Sequence, residues 1–473
     1  MNISKIAKTK LVCTIGPASS SPKVLKSLIK KGLDVARINF SHGNYEEYKK
    51  IIQNIRKISM ELERPVAILQ DLRGPKLRVG KIKGGSITLK KGEKLVITTK
   101  EIEGKKGIIP SDYKFLPKFV KKGEIILMDD GNLELKVTEV KKEEIITKVV
   151  VGGVLKSNKG INLPNTKLNI PALTEKDKRD VEFGVENEVD YIALSFVQKA
   201  QDIKDLKRIL KTKKTDIPII AKIEKPDAIK NLDEIIDEAD GVMVARGDLG
   251  VEMKEEMVPI LQKEIIKKAS KKGKMVITAT QMLESMIEKP RPTRAEATDV
   301  SNAILDMTDA VMLSGETAVG KYPVKAVKII KNIACITETS SYFNPEIALE
   351  VKPSKVVGDA IVKAAVDIAE KLKAKLIVVF SWSGSTALML SKHKPSVPIV
   401  AFSPEEKVIN RMALYWGVLP FYLEYRPNTD ILLAEGETIL LDKGIIKRGD
   451  LIIMIGGVTP IKGATNMLRA IRI

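Results

Sequence analysis

Cysteine and aromatic residues are scarce in this chain of 473 residues. It has two cysteines, Cys13 and Cys335, and aromatic residues make up 4% of the sequence. Cys13 lies in an apolar run typical of a buried strand and is far from Cys335 in sequence, so we expect no structural disulfide. The low aromatic content argues against a platform on which nucleic-acid bases stack.

Long apolar runs are also missing. No run reaches the roughly 18 residues that a membrane-spanning helix needs, and Met1–Thr9 lacks the apolar stretch of a signal peptide. We therefore expect a cytoplasmic protein that does not interact with membranes. The composition, 44% hydrophobic and 30% charged, is that of a folded globular protein, and the length predicts two or three domains.

Positive charge is in excess, with 80 Lys and Arg against 60 Asp and Glu, a formal net charge of +20. Such an excess is one signal of nucleic-acid binding. The lysines, however, are spread over amphipathic segments without an arginine-rich arm. We expect no nucleic-acid partner; a solvated Lys/Glu surface fits a heat-adapted protein or anionic substrates. A nucleic-acid-binding protein stays as the alternative from another functional class.

Short apolar runs alternate with helical patterns, which is the signature of parallel strands joined by helices. Eight such β/α units predict a TIM (β/α)8 barrel. The predicted strands are Leu11–Ile15, Val35–Ser41, Val66–Leu72, Tyr191–Phe196, Pro218–Glu224, Gly241–Ala245, Met275–Thr280 and Ala310–Ser314.

Two further regions differ from the barrel pattern. Short strands broken by Lys-Gly-Glu turns predict a small inserted β-barrel lid domain over residues 75–171, between barrel segments 1–74 and 172–340. Its predicted strands include Ser86–Leu89, Leu95–Thr98 and Glu124–Leu127. Strands at Lys375–Phe380 and Ile399–Phe402 predict a separate C-terminal α/β domain over 341–473.

Polar side chains end several barrel strands, where the function of such a barrel is located. Strand alternation puts Arg37, Asn39 and Ser41 on one face. Lys222 and Glu224 also share a face. An ion pair with a packing role is the plain interpretation, but the pair also suits an enolate, because a carboxylate can hold a divalent metal while a lysine stabilises the oxyanion.

The next two strand ends extend this set. Gly247 allows the backbone to approach an anionic ligand. Asp248 is either a helix cap or a second carboxylate that completes a magnesium site with Glu224. Thr280 offers a hydroxyl to a substrate carboxylate or a proton-relay water, and Ser314 and Glu316 follow the eighth run.

Six sequence blocks resemble pyruvate kinases, in the order of that family and over essentially the whole chain. The blocks are Thr14–Ser19, Arg37–Gly43, Lys222–Glu224, Val244–Glu252, Ala279–Met286 and Met312–Thr317. The resemblance implies a phosphotransferase that moves the phosphoryl group of phosphoenolpyruvate to ADP, giving pyruvate and ATP in the last step of glycolysis. The reaction would pass through a magnesium-bound enolate that is then protonated.

The resemblance also implies a role for each matching residue. Arg37 would bind the transferred phosphoryl group, and Lys222 would stabilise the transition state and the enolate. Thr280 would lie near the proton delivered to the enolate carbon. Glu224 and Asp248 would hold Mg2+, or Mn2+ in its place. The residues expected at the carboxylate end of phosphoenolpyruvate are Gly247, Asp248 and Thr280, and those on the ATP/ADP side are Asn39, His42, Arg78 and Lys159.

One position departs from the commonest family pattern. Many pyruvate kinases need potassium, held by residues matching Asn39, Ser41, Asp71 and the backbone carbonyl at Leu72. Lys76, however, stands where the potassium-dependent members have glutamate. An ammonium can supply the positive charge that potassium would bring, so we expect no potassium requirement. The alternative is that Lys76 points to solvent at the hinge of the inserted domain.

The resemblance extends to regulation and assembly. A strand leading into a hydroxyl-rich loop and then a helix is a fair phosphate cradle, and this family binds phosphorylated activators there. The residues concerned are Ser381, Ser383, Gly384, Ser385 and Thr386; the alternative is a plain turn. A homotetramer is implied. The nearest alternative enzyme is a magnesium-dependent barrel lyase or aldolase, which would need neither the nucleotide-side residues nor the lid.

Overall fold

Eight parallel strands form a closed barrel in the computed structural model, which describes residues 6–41, 43–164, 166, 170–345, 357–457 and 465–473. The eight predicted strands are confirmed, and each ends within two residues of its predicted end. In chain order, which is also their order around the barrel, they are Lys10–Thr14, Val35–Asn39, Ala67–Asp71, Tyr191–Leu194, Ile219–Ile223, Gly241–Ala245, Met275–Ala279 and Ala310–Leu313.

The register of these strands brings the polar ends together at one mouth. Asn39 lies opposite Asp71, and Ala245 lies opposite Ala279, one residue before Thr280. The strands are buried on both faces, which explains their continuous apolar runs. Cys13 is buried in the first strand, and neither it nor Cys335 forms a disulfide.

Helices cover the outside of the barrel, and several start at clear capping signals. Thr174 and Thr293 form capping boxes with Asp177 and Glu296, which satisfy backbone N–H groups that the first helical turn leaves free. Within the described ranges, no helix combines the length and apolar composition needed to cross a membrane. The helices of the barrel part are Pro22–Lys31, Tyr45–Glu61, Glu175–Glu186, Ala200–Thr212, Pro226–Lys230, Leu232–Glu238, Arg246–Glu252, Val258–Lys271, Arg294–Leu305, Gly315–Ala318 and Pro323–Glu338.

An aspartate precedes every second barrel strand and forms hydrogen bonds to the preceding strand of the barrel. Each carboxylate accepts the backbone N–H of one residue of that neighbouring strand, at 2.6–2.9 Å, and each aspartate N–H donates to the same residue's carbonyl. The four pairs are Asp34 with Leu11, Asp190 with Ile68, Asp240 with Ile219 and Asp309 with Val276. This fourfold repeat closes the end of the barrel opposite the polar mouth.

The inserted region is built from two sheets around a core of its own. Leu135 and Ile97 belong to this core and are buried. The predicted strand Ser86–Leu89 is confirmed, and the other two predicted strands are shifted by one residue or less at each end. The strands are Ser86–Leu89, Lys94–Thr98, Ile108–Pro110, Ile125–Met128, Leu133–Val140, Glu144–Val151, Gly153–Lys156 and Ile161–Asn162, with one short helix, Leu116–Phe119.

The C-terminal region is an α/β layer structure, as predicted. Its sheet has five strands among the described residues. Four strands are parallel and the last is antiparallel at the edge. In sheet order the strands are Val418–Tyr422, Ile399–Ser403, Leu376–Phe380, Leu451–Gly457 and Thr465–Arg472, and the helices are Val357–Lys371, Ser385–Lys392, Glu406–Met412 and Thr429–Asp442. The predicted boundaries at residues 74/75, 171/172 and 340/341 stay a prediction.

Asp309 connects the barrel to the C-terminal region through buried charges. Lys392 and Lys394 both donate to its carboxylate, Lys394 at 2.6 Å, and all three side chains are buried. The ammonium of Lys394 also lies 4.7 Å from the ring centre of the buried Trp416. Burial lowers the pKa of Lys394 to about 8, although Asp309 opposes the shift. Asp309 is therefore the counter-charge on which two buried lysines depend.

We predict that Asp309→Ala destabilises the protein by about 3–5 kcal/mol, because it strands two buried ammonium groups. Asp240→Ala is the matched control, since Asp240 makes the same strand contact without buried lysines, and we expect it to cost about 1–3 kcal/mol. Urea denaturation followed by circular dichroism measures both. Equal losses in the two variants would show that the lysine contacts add nothing to stability.

Candidate active site

A buried ion cluster joins three of the barrel strands at the mouth. The Asp71 carboxylate accepts from Arg37 Nε at 2.6 Å on one oxygen and from Lys222 Nζ at 3.2 Å on the other. Lys222 also donates to Ser195 Oγ at 2.7 Å and lies 2.9 Å from Glu224 Oε1. Period-two alternation predicted that Lys222 and Glu224 share a face, and they do.

The charges of this cluster stabilise one another. Burial alone would raise the pKa of Asp71, but Lys222 and Arg37 outweigh it and hold that pKa below its ordinary value. Burial would likewise lower the pKa of Lys222, but Asp71 and Glu224 raise it. Lys222 is therefore a fixed positive charge in a site with little access to water.

Glu224 and Asp248 form a pair of carboxylates with different environments. Burial, with a smaller contribution from Asp248, raises the pKa of Glu224. Burial also opposes ionisation of Asp248, but Lys76 at 2.9 Å, together with Lys222, lowers its pKa. Glu224 Oε2 accepts from Phe196 N at 2.8 Å, whereas the buried Oε1 lies 2.9 Å from the Lys222 ammonium.

Thr280 sits in an unusual turn directly after the seventh strand. The backbone φ angle of Thr280 is 67° and that of Gln281 is 53°, so two consecutive residues occupy the left-handed region that L-residues avoid. Thr280 Oγ1 accepts from Gly247 N at 2.9 Å and donates to the Ala279 carbonyl at 2.6 Å. The turn thus joins the ends of the sixth and seventh strands.

A cavity of about 720 Å3 opens beside these groups. Gly247, Asp248 and Thr280 line it from the barrel, and Lys76 and Asp130 line it from the inserted region. Ser314 also lines it, and its buried Oγ has no hydrogen-bond partner among the described residues. The cavity therefore lies between the barrel mouth and the inserted region, where a lid would cover a substrate.

Comparison with known proteins identifies the family. Residues 6–327 match the family described as "Pyruvate kinase, barrel domain", and residues 359–471 match "Pyruvate kinase, alpha/beta domain". The chain belongs to the pyruvate kinase family. It is 47% identical to the pyruvate kinase of Thermococcus litoralis, covering 95% of both chains, and 46% identical to that of Geobacillus stearothermophilus, covering 98% of this chain and 80% of the other.

A solved pyruvate kinase has the same architecture. The crystal structure of the enzyme from Cryptosporidium parvum superposes with a TM-score of 0.92, at 37% identity, over 99% of this chain and 97% of that one. The predicted fold class and family are confirmed. Pyruvate kinases are phosphotransferases that use phosphoenolpyruvate and ADP to make pyruvate and ATP in glycolysis, and this chain is an enzyme of that kind. The matches to both pyruvate kinase domains favour this function over the lyase and nucleic-acid-binding alternatives.

The family uses a divalent metal ion, and the residues present fit one. Glu224 and Asp248 are carboxylates at adjacent strand ends, and the negative charge of Asp248 contributes to raising the pKa of Glu224. A divalent cation would offset this repulsion between the two carboxylates, and Mg2+ at phosphoryl-transfer sites is commonly held by one or two carboxylates together with phosphate oxygens.

The residues expected on the nucleotide side lie in two places. Asn39 ends the second barrel strand, whereas Arg78 and Lys159 belong to the inserted region, where Arg78 donates to the Asn158 carbonyl at 2.9 Å and Lys159 pairs with Asp129 at 2.6 Å. The structure therefore puts two of the predicted residues on the lid rather than on the barrel. His42 lies outside the described residues.

The potassium-type residues are close together, but Lys76 does not point to solvent. Asn39 Oδ1 accepts from Ser41 N at 3.1 Å, and the Leu72 carbonyl accepts from Ser195 Oγ at 2.7 Å. Lys76 instead reaches Asp248, and Asp130 lies 3.8 Å from its ammonium. These carboxylates raise the pKa of Lys76 against the effect of burial, so the lysine is a charged part of the mouth.

The predicted effector loop follows the strand Leu376–Phe380 in the C-terminal region. Gly384 has a φ of 78°, which glycine adopts without strain, and it directly precedes the helix Ser385–Lys392. Ser383 and Ser385 share a hydrogen bond of 3.0 Å between their hydroxyls, and the Thr386 hydroxyl pairs with that of Thr465 at 2.6 Å. The loop has the predicted strand–loop–helix form.

Sequence reasoning missed two residues of this site. Ser195 links Lys222 to the Leu72 carbonyl, and its signal was a polar residue just past the end of an apolar strand. Arg246 lies within the Val244–Glu252 block, and the sequence pattern assigns it no role of its own. Its guanidinium is buried against the carbonyls of the Thr280 turn, a contact that strand alternation cannot indicate.

Proposed function

We propose that phosphoryl transfer takes place at the barrel mouth, with Arg37 and Lys222 as the cationic groups that receive the phosphoryl oxygens. The observation that carries this proposal is the buried Lys222 ammonium, whose pKa is raised by Asp71 and Glu224. Phosphoryl transfer needs alignment and charge neutralisation more than covalent help from the protein. A preorganised cation that requires no rearrangement supplies both, and it also stabilises the enolate oxygen.

Glu224 and Asp248 are proposed to hold Mg2+, or Mn2+ in its place. Such an ion, when bound, adds positive charge beside the oxygens of the substrate. The protein's own part is to orient both carboxylates and to favour the ionised form of Asp248. Phe196 N fixes one oxygen of Glu224, and Lys76 keeps Asp248 ionised when no metal is present.

Gly247, Asp248 and Thr280 are proposed to receive the carboxylate end of phosphoenolpyruvate. Gly247 N and Thr280 Oγ1 now bond to each other at 2.9 Å. An incoming carboxylate can take the Gly247 N–H for itself and leave the Thr280 hydroxyl free to turn. Thr280 is then available near the enolate carbon, where a proton is delivered.

Asn39, His42, Arg78 and Lys159 are proposed to contact ADP, and the charges around Arg78 support this role. Burial and the nearby Arg73 lower the pKa of Arg78, and Asp112 only partly compensates. Two guanidinium groups that disfavour each other's charge favour an anion such as a phosphate chain. Closure of the inserted lid over the cavity would exclude water, so that the phosphoryl group goes to ADP.

We expect Lys222→Met to lower kcat by about one hundred-fold or more, the scale of one lost oxyanion donor, while the KM for phosphoenolpyruvate changes little. Steady-state assays of pyruvate formation measure both constants. Lys331→Met is the control, because Lys331 is also a well-buried lysine, paired with Asp34 at 2.6 Å away from the mouth. It should reduce stability and leave kcat unchanged. A loss of kcat equal to that of the control would contradict the assignment of Lys222.

We propose that this enzyme does not require potassium at the Asn39, Ser41, Asp71 and Leu72 site. Lys76 adds a positive charge to the mouth, and both Asp71 oxygens already contact cations, so the site has little remaining attraction for a monovalent ion. The contact of Lys76 with Asp248 supports a role for its charge in the mouth rather than at the hinge surface.

Activity should therefore be nearly the same in sodium, tetramethylammonium and potassium buffers, and Lys76→Glu should create a dependence on potassium. Lys83→Glu, which changes an exposed lysine of the inserted region, is the control for the change of charge. Coupled assays at constant ionic strength test this. Activation of the unmutated enzyme by potassium of about tenfold, or 1.4 kcal/mol, would refute the proposal.

We propose that the loop formed by Ser381, Ser383, Gly384, Ser385 and Thr386 binds the phosphate of an effector. Ser383 and Ser385 place two half-buried hydroxyls beside the start of a helix, where backbone N–H groups favour an anion. A sugar phosphate or a nucleoside monophosphate has the required chemistry.

Calorimetry with a panel of such phosphates should detect a ligand whose binding is lost in Ser385→Asp, because the added carboxylate repels phosphate. Ser396→Asp, at an exposed position of the same region, should bind normally. The absence of binding across the panel, with unchanged kinetics, would contradict an effector site.

A cytoplasmic homotetramer is the proposed working form. Large apolar side chains lie exposed on the described surface of the barrel part, among them Ile260 at 65%, Ile336 at 72% and Val319 at 62% exposure. Contacts between subunits would cover such side chains.

A further inference from the structure

Arg246 is a buried arginine at the mouth for which the reaction has no assigned use. It begins the helix Arg246–Glu252, directly before Gly247, and is 8% exposed. Its Nη1 lies 2.8 Å from the Asp299 carboxylate. Its Nη2 donates to the carbonyls of Thr280 at 2.6 Å and Gln281 at 3.2 Å. The guanidinium is thus fixed by an acid on one side and directed at two consecutive carbonyls on the other.

Those carbonyls belong to the left-handed turn of Thr280 and Gln281. Residues held in this conformation are strained, and the arrangement persists only where the surroundings hold it. Thr280 is β-branched, for which a positive φ is a genuine outlier. Hydrogen bonds from a charged guanidinium are stronger than those between neutral groups, so Arg246 is well suited to hold the turn.

The same two segments also meet through a second contact. Arg246 holds the backbone of Thr280 with its side chain, and the next residue, Gly247, donates its N–H to the Thr280 hydroxyl. If the turn relaxed to ordinary backbone angles, the hydroxyl would move away from the cavity. The position of Thr280 Oγ1 therefore depends on the guanidinium.

We propose that Arg246 is a positioning residue for the pyruvate kinase reaction, acting through Thr280; this rests on the proposed role of Thr280. A lysine cannot replace it, because an ammonium is a point donor and cannot bridge two carbonyls and a carboxylate in one plane. Arg246 differs in this from Lys222, which itself faces the reacting oxygens.

A double-mutant cycle of Arg246→Lys and Thr280→Ala tests the proposal, with kcat measured at saturating phosphoenolpyruvate and ADP. Arg246→Lys should lower kcat about ten- to one hundred-fold, the scale of a misplaced catalytic group. Thr280→Ala should lower kcat about one hundred-fold or more. The kcat of the double variant should equal that of Thr280→Ala to within about twofold, because both changes remove the same function, that of the Thr280 hydroxyl.

Two further variants keep the result interpretable. Asp299→Asn retains the guanidinium but loosens its anchor, and it replaces Arg246→Lys in the cycle if that variant does not fold. Arg56→Lys is the matched control. Arg56 donates to the Glu188 carbonyl at 2.8 Å and to Asp190 at 2.9 Å at the opposite end of the barrel. It should lose stability and keep its kcat.

The outcomes separate the two claims. Losses that multiply in the double variant, with Thr280→Ala slow, would overturn the positioning role of Arg246 and leave the role of Thr280 intact. Unchanged turnover in Thr280→Ala would overturn both. An unchanged kcat in the Arg246→Lys variant would also contradict the requirement for a planar guanidinium.

Discussion

The carboxylate of Asp71 is the counter-charge on which the active site depends. Arg37 and Lys222 approach its two oxygens inside a buried mouth, where two cations without a partner would repel each other strongly. This cluster pairs three carboxylates, Asp71, Glu224 and Asp248, with three cations, Arg37, Lys222 and Lys76. The site is therefore close to neutral before any substrate arrives, and changing one member leaves another buried charge without compensation.

The same charges connect the lid to the barrel. Asp71 ends the third strand, and five residues later Lys76 contacts Asp248 at the sixth strand. A second contact joins the lid to the barrel, since Asn162 donates to the buried Glu252 at 2.9 Å. A metal ion at Asp248 would compete with Lys76, so metal binding and the position of the lid are linked through one carboxylate.

Much of this arrangement could be predicted from local sequence. Apolar runs gave the strands to within two residues, and the alternation within Lys222–Glu224 put both side chains on one face, since a strand's geometry is set by near neighbours. Contacts between distant segments could not be predicted in this way. Nothing near Arg246 in the sequence indicates that it reaches the carbonyl of Thr280. In the fourfold repeat, the aspartate is the only residue that the four units have in common, which is too little to reveal the repeat.

The two ends of the barrel use buried polar groups in opposite ways. At the closed end, Asp34, Asp190 and Asp309 each accept a strand N–H and pair with at least one cation. At the mouth, Ser314 Oγ has no hydrogen bond among the described residues, and Thr280 sits in a strained turn. Unmet hydrogen-bonding capacity and strain are unfavourable unless the rest of the fold compensates. The paired aspartates at the closed end stabilise the barrel, whereas the mouth keeps a strained turn and a buried hydroxyl where a substrate would bind.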